Sequence, residues 1–228
     1  AQAALGPERP VRFVVPSGNM GDALAGYVAA RCGLLAGFEA VCAVNDNRAL
    51  AEIFETGRMR RSDTVATPSP AMDITVPSNF ERVLFEASGR DPSIVRDLYA
   101  RFAQSGDVDL PDAVRGPLGC MGLGARSVGA RETLDEIDRV RAETGWLVCP
   151  HAAVGTRVAR DLPSDGVATV VLATAHAAKF PETVEEATGR VPDLPHRCRG
   201  VADGHEVFER LPADEATVRE RIASLAGV

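Results

Sequence analysis

The stretch Pro16-Ser17-Gly18-Asn19-Met20-Gly21-Asp22 limits the folds open to this chain more than any other. It lies between an apolar run, Val11-Arg12-Phe13-Val14-Val15, and a run from Ala23 to Cys32 in which Leu24, Tyr27, Val28 and Cys32 fall on one helical face. The apolar run bounded by Pro predicts a short buried strand, and the second spacing predicts a helix. The order is strand, glycine loop, helix. Two glycines let the backbone turn without a Cβ clash, and the first helical turn presents unpaired N–H groups at the positive end of its dipole. An anion, most often a phosphate, is the natural guest there, although such turns also serve as plain connections.

Phe38-Glu39-Ala40-Val41-Cys42-Ala43-Val44 predicts a second buried strand, ending at Asn45-Asp46-Asn47. Asn47 is placed to cap a helix with Leu50, Ile53 and Phe54 as its apolar stripe and Gly57 as its close. Strand, helix, strand, helix within about sixty residues is the pattern of a parallel sheet. Ligands on such sheets lie beyond the carboxyl ends of the strands, where the glycine loop sits.

With 228 residues and 45% hydrophobic content, the chain can bury a core. The expectation is one incomplete α/β domain over 1–228, a mostly parallel sheet with flanking helices. The net charge of -7, with Arg interleaved among Asp and Glu, argues against a nucleic-acid partner. No stretch reaches the roughly 18 apolar residues that span a membrane, and the N-terminal residues lack a secretory pattern, so a cytoplasmic location is expected. Cys32, Cys42, Cys120, Cys149 and Cys198 are odd in number and form no C-x-x-C pair, which points to reduced, packed thiols and no metal.

Residues 58–77 carry Pro68, Pro70 and Pro77, which forbid a long helix. Ser78 with Glu81 three residues on reads as a capping box, and a further helix carries Ile94, Leu98 and Phe102. Residues 105–130 hold six glycines and read as either a mobile loop or a place of close approach. A helix from 131 to 143 stops at Gly145. Trp146-Leu147-Val148 reads as a very short strand, and 152–161 as an alanine-rich helix. Val167 to Thr174 is apolar on both sides and predicts a central strand. A helix over 182–188 closes at Gly189, and Asp214 caps a last helix on which Val218, Ile222 and Leu225 align.

Thr174, His176 and Lys179 follow from the end of that predicted strand. They are either a ligand-facing rim, where a hydroxyl can hydrogen-bond and a lone lysine can pair with an anion or form an imine, or a solvated loop. His151 and Cys149 are two apart at a helix start and do not face each other, so His151 reads as a packing or capping group. Asp73 lies in an irregular loop that local rules do not place. His196 and His205 lie in charged loops and read as exposed.

Several motifs together resemble one family. Val15-Pro16-Ser17-Gly18-Asn19-Met20-Gly21-Asp22, Ser69-Pro70-Ala71-Met72-Asp73-Ile74, Ser78 to Phe85, Pro150-His151-Ala152-Ala153-Val154-Gly155 and Thr174 to Pro181 are similar, in order and approximate spacing, to the bacterial and fungal type of threonine synthase. The resemblance implies the large cofactor domain of a fold type II pyridoxal-phosphate enzyme that converts O-phosphohomoserine and water to threonine and phosphate. It implies that Gly18, Asn19, Met20, Gly21 and Asp22 cradle the cofactor phosphate, that Thr174 meets the pyridine nitrogen, and that His151, His176 and Lys179 lie at the substrate or rim.

The family's Schiff-base lysine lies in a Phe-Lys-Asp segment upstream of the glycine loop, and no such segment is present here. Lys179, the sole lysine, matches a different block. The resemblance therefore implies a C-terminal half with no catalytic residue of its own, inactive alone and completed by an N-terminal half, with retention of pyridoxal phosphate by the chain alone left open. Met20 stands where the family has Phe, Cys149 where it has Asp or Glu, and residues 105–130 match poorly. The alternative is a non-catalytic fragment that binds a phosphorylated ligand or serves as a scaffold.

Overall fold

The computed structural model describes residues 2–6, 8–198, 200–201 and 204–227. After a short helix, α1 (Gln2–Leu5), come β1 (Val11–Pro16), α2 (Gly21–Arg31), β2 (Phe38–Val44), α3 (Ala49–Thr56) and β3 (Arg58–Arg60). A 3₁₀ turn at Pro70–Met72 precedes α4 (Phe80–Ala87), α5 (Pro92–Ser105), β4 (Asp107–Asp109), α6 (Asp112–Gly119) and β5 (Leu123–Ser127). Then follow α7 (Ala130–Thr144), α8 (Pro150–Arg160), β6 (Ala168–Val171), a 3₁₀ turn at Ala177–Lys179, α9 (Pro181–Thr188) and α10 (Glu215–Ala226). The chain divides into two compact units, Ala1–Asp193 with the strands and Leu194–Val228 with α10.

The main sheet has the order β5-β2-β1-β6 and is parallel throughout, with Val11 opposite Phe38 and Ala168 and with Ala40 opposite Leu123. The side-chain alternation of the strands divides the core. On one face Val15, Ala40, Cys42 and Val44 pack with Leu24, Leu50, Ile53, Phe80, Val83 and Leu84 from the helices. On the other, Val14, Val41 and Ala43 pack with Val154 and Val158 of α8 and with Met72. A β-ribbon of β3 and β4 stands apart from this sheet. The predicted α/β architecture and parallel pairing are present, and Gly57, Gly145 and Gly189 close their helices in the left-handed conformation.

Several local expectations differ. The strand predicted over 167–174 is shorter, Ala168–Val171, and lies at an edge of the sheet rather than at its centre. Its apolar character on both sides reflects α8 on one face and partly exposed surface on the other, so composition did not distinguish edge from centre. Residues 105–130 form β4, α6 and β5 rather than an irregular loop. Close approach is the right account of Gly122, whose φ is +68° and where a Cβ would come within 2.4 Å of the Phe38 carbonyl oxygen. Trp146 is not in a strand and is 76% exposed.

Neither predicted cap forms. α3 has Arg48 at its N-cap position and α4 has Asn79, both without a side-chain capping bond. Asn47 and Ser78 are engaged by residues far along the chain instead. Asp214 does cap α10, accepting from the Thr217 N–H at 2.8 Å, but Val218, Ile222 and Leu225 on that helix are partly to largely exposed. The five cysteines are free; Cys42 and Cys149 are buried, Cys198 is half-buried, and Cys32 and Cys120 are exposed rather than packed. Among the described residues no helix is long and apolar enough to cross a membrane.

Candidate functional site

The loop between β1 and α2 leaves the carboxyl end of a strand paired on both sides. Its backbone is set by Ser17, which is buried and whose Oγ accepts the Met20 N–H at 2.9 Å. Met20 takes the left-handed conformation, φ 64°, which costs a non-glycine residue about 1 kcal/mol or more. Its fully buried side chain and the Leu24 N–H bonded to its carbonyl at 3.0 Å hold it there. Beneath the loop, burial pushes the Cys42 thiol up to about 12, partly offset by its hydrogen bond with Ser17. This thiol is a packing group.

With the Met20 N–H occupied, the N–H groups of Gly18, Asn19, Gly21, Asp22 and Ala23 make no hydrogen bond among the described residues. They open α2 at the positive end of its dipole, a donor set suited to a phosphate.

A second segment, Ser69–Ile74, lies directly against this loop. A Cβ on Gly18 would come within 2.7 Å of Ile74 Cγ1 and 3.1 Å of Met72 Cα, so Gly18 is required by close packing. Asn19 extends the contact: its carbonyl accepts the Asn79 N–H at 3.2 Å and its Oδ1 accepts the Ser78 N–H at 3.0 Å. The segment is tied at its far end by Asp73, left unplaced by local rules. The Asp73 carboxylate accepts from Asn45 Nδ2 at 2.7 Å, Asn47 Nδ2 at 3.0 Å, Thr67 Oγ1 at 2.7 Å and the Thr67 N–H at 3.1 Å. Asn45 and Asn47 follow the carboxyl end of β2, and Thr67 lies just before the segment itself. Asn45 and Ser17 were not singled out by the sequence reading, Asn47 was read as a helix cap and Asp73 was left open; the Asn-x-Asn pair directly after a buried strand was the available signal.

His151, expected at the rim, is only 4% exposed. Pro150 opens α8 and Cys149 Sγ accepts the Ala152 N–H at 3.4 Å, which turns the imidazole inward. Its Nε2 accepts the Ala71 N–H at 3.2 Å, and the ring lies 4.7 Å from that of Phe180. Burial holds His151 below the ordinary histidine range, the Lys179 charge pushes the same way, and Asp73 opposes. α8 reaches the sheet closely because Gly155 has no Cβ, which would meet Val171 Cγ1 at 2.7 Å.

Thr174, His176 and Lys179 lie past the end of β6, at the same end of the sheet as the glycine loop, and all three are exposed. The Thr174 hydroxyl makes no hydrogen bond among the described residues. His176 Nδ1 accepts the Ala178 N–H at 3.1 Å and so caps the turn that carries Lys179, whose Nζ stands 5.6 Å from the Phe180 ring centre. Among the described residues no cluster of His, Cys, Asp and Glu is arranged for a metal ion. The loop N–H groups fit the phosphate of pyridoxal phosphate, and the free Thr174 hydroxyl fits a ring nitrogen.

Residues 152–222 match the family model described as threonine synthase, C-terminal. The chain is 37% identical over 93% of its length to threonine synthase of Pseudomonas aeruginosa, and 35% identical over 93% to that of Methylobacillus glycogenes. A solved structure of threonine synthase from Brucella melitensis with pyridoxal phosphate (PLP) bound superposes with a TM-score of 0.87 at 40% identity, covering 97% of this chain and 47% of that one. The yeast enzyme gives a TM-score of 0.80 at 28% identity. The chain spans 45% of the length of the first two relatives. With sequence and fold in agreement over nearly all its residues, the chain matches a C-terminal part of threonine synthases.

Proposed function

We propose that Gly18 to Asp22 bind the phosphate of pyridoxal phosphate and that this chain forms one side of a threonine synthase site, for conversion of O-phosphohomoserine and water to threonine and phosphate. The supporting observation is the set of unpaired N–H groups of Gly18, Asn19, Gly21, Asp22 and Ala23 at the carboxyl end of β1, beside relatives that include a PLP-bound threonine synthase.

When bound, pyridoxal phosphate supplies an electron sink for chemistry at carbon. The contribution of this chain is to hold and orient it. The N–H groups of Gly18, Asn19, Gly21 and Asp22 hold the phosphate, while the neutral Thr174 hydroxyl meets the ring nitrogen without forcing a proton onto it. His176 caps the Ala177–Lys179 turn, and Lys179 offers a cation at the rim for an anionic substrate group. Lys179 is not the Schiff-base lysine in this reading; that group comes from the polypeptide matching the rest of the relatives' length.

The test is addition of pyridoxal phosphate to the chain alone and to the chain with the N-terminal half of a relative, recording the visible absorption of lysine-bound cofactor and threonine formation. The chain alone should bind the cofactor without that band or threonine, and the pair should give both. A band from the chain alone that disappears in Lys179→Ala would assign Lys179 the role denied to it here. A second reading, binding of a phosphorylated ligand without catalysis, draws on the exposed position of the sole lysine over Phe180. Ligand binding with a silent complemented pair would favour it.

A further inference from the structure

We propose that His151 is a positioning residue for the phosphate loop: by accepting the Ala71 N–H at Nε2 it pins Ser69–Ile74 against Gly18, and it does so only as the neutral imidazole. This rests on the phosphate reading of Gly18–Asp22.

An N–H can be accepted only by a ring nitrogen that carries no proton. The 3.2 Å contact from the Ala71 N–H therefore fixes the neutral tautomer with its proton on Nδ1. That Nδ1 is buried and has no hydrogen-bond partner among the described residues. A second proton would place Nε2–H against the Ala71 N–H, donor facing donor, in a partly buried site. Protonation and the Ala71 contact exclude one another.

The consequence reaches the loop through contacts already described. Ala71 lies in the 3₁₀ turn Pro70–Met72; Met72 and Ile74 meet Gly18; Met72 is seated in the core facing α8. Asp73 fixes one end of the segment and His151 its middle. Losing the middle contact allows Met72 and Ile74 to lift from Gly18 while the network around Asp73 persists.

Two charged groups act on the ring, Lys179 from the turn after β6 and Asp73 from the segment itself, with opposite signs. Other charges on elements packed against α8 are paired near its far end, paired with each other, or exposed, as is Arg139 of α7. Glu132, Glu136 and Glu143 of α7 pair with Arg157 and Arg160 near the far end of α8. Arg12 of β1 and Glu39 of β2 pair with each other at the amino ends of their strands. Arg126 of β5 is exposed, and the neighbouring Cys149 thiol is occupied as a helix cap.

The experiment measures two quantities across the histidine range in the wild-type chain, His151→Gln and His151→Leu: the hydrogen-exchange protection factor at the Ala71 amide and the affinity for pyridoxal phosphate by calorimetry. In the wild type, protection and affinity should fall together on acidification, affinity by about tenfold, the order expected for one lost hydrogen bond. Gln offers a carbonyl oxygen at a similar reach and cannot titrate, so His151→Gln should keep both at every pH. His151→Leu should show the lowered protection and the roughly tenfold weaker affinity even at neutral pH. Gln behaving like Leu, or wild-type affinity staying level while Ala71 protection falls, would overturn the coupling alone. A wild-type chain that binds no pyridoxal phosphate at neutral pH with Ala71 protected would overturn the phosphate reading, and the coupling with it.

Discussion

The two ends of β1 and β2 meet their polar groups in opposite ways. At the amino end the Arg12 guanidinium, 5% exposed, reaches Glu39 at 2.8 Å and Asp165 at 2.7 Å, tying both strands to the approach to β6. Those contacts raise Arg12 further above its already high value and lower Asp165. At the carboxyl end one carboxylate, Asp73, is held by amides, a hydroxyl and a backbone N–H, and further N–H groups of the adjoining loop stay unpaired. A closed ion-pair cluster has nothing left to offer a ligand. Spare donors at a helix start can receive an anion. The difference separates an end built for cohesion from one that keeps binding capacity in reserve.

The sharpest way to break this contrast is Asp73→Ala. It removes the charged acceptor shared by Asn45, Asn47 and Thr67, while both amides keep neutral acceptors in Ser69, Thr67, Asn45 and Val65, and should cost about 2 kcal/mol, the order for a lost hydrogen bond to a charged group. Urea unfolding should show the loss, and calorimetry should show weaker binding of pyridoxal phosphate, because the segment beside Gly18 loses its anchor. Arg12→Met should cost about 2 kcal/mol; its two partners are each more than a third exposed, which limits the penalty. Affinity should stay within about twofold, as expected for distant sites. A large fall in affinity with Arg12→Met would show that the two ends are not independent.

Ser17→Ala is a milder probe, of about 1 kcal/mol, because it leaves the Met20 N–H without its acceptor next to a left-handed residue. The smallest expected effect is the pH dependence of stability from His151. Its folded value lies below the unfolded one of about 6.5, so the unfolded chain binds the proton first as pH falls. The contribution is fully present above about pH 6.5 and is lost as pH drops from there through the depressed folded value. Unfolding midpoints of wild type and His151→Gln should therefore converge on acidification if the wild type starts higher, or diverge if it starts level.

Local chemistry made the sheet and the glycine loop legible. β2 fell on its predicted residues because a continuous apolar run leaves few options, and Gly57 and Gly189 ended helices where a left-handed residue was needed. What misled was any side chain whose partner lies far along the chain. Asn47 looked like a helix cap, but its amide bonds Asp73, 26 residues on. Ser78 looked like half of a capping box, yet its N–H belongs to Asn19, 59 residues back. In 105–130 the glycines left a mobile loop and a close approach both open; Gly122 is the close approach, letting β5 start beside Phe38, while the helix and strands around it were not legible. The segment pressed against the loop could not be read locally, since its ties run to β2 and α8.

The edge position of β6 bears on how the chain behaves in the tube. An edge strand offers an unpaired row of backbone groups to any passing strand, and apolar neighbours make the offer harder to refuse. The opposite edge, β5, includes Arg126 and Ser127, whereas β6 and the next residue read Ala168-Thr169-Val170-Val171-Leu172. Self-association on concentration would therefore be governed by one edge of the sheet. Thr169 is exposed within that strand, so Thr169→Lys is the single change best placed to keep preparations monodisperse, far enough from the glycine loop to leave it alone.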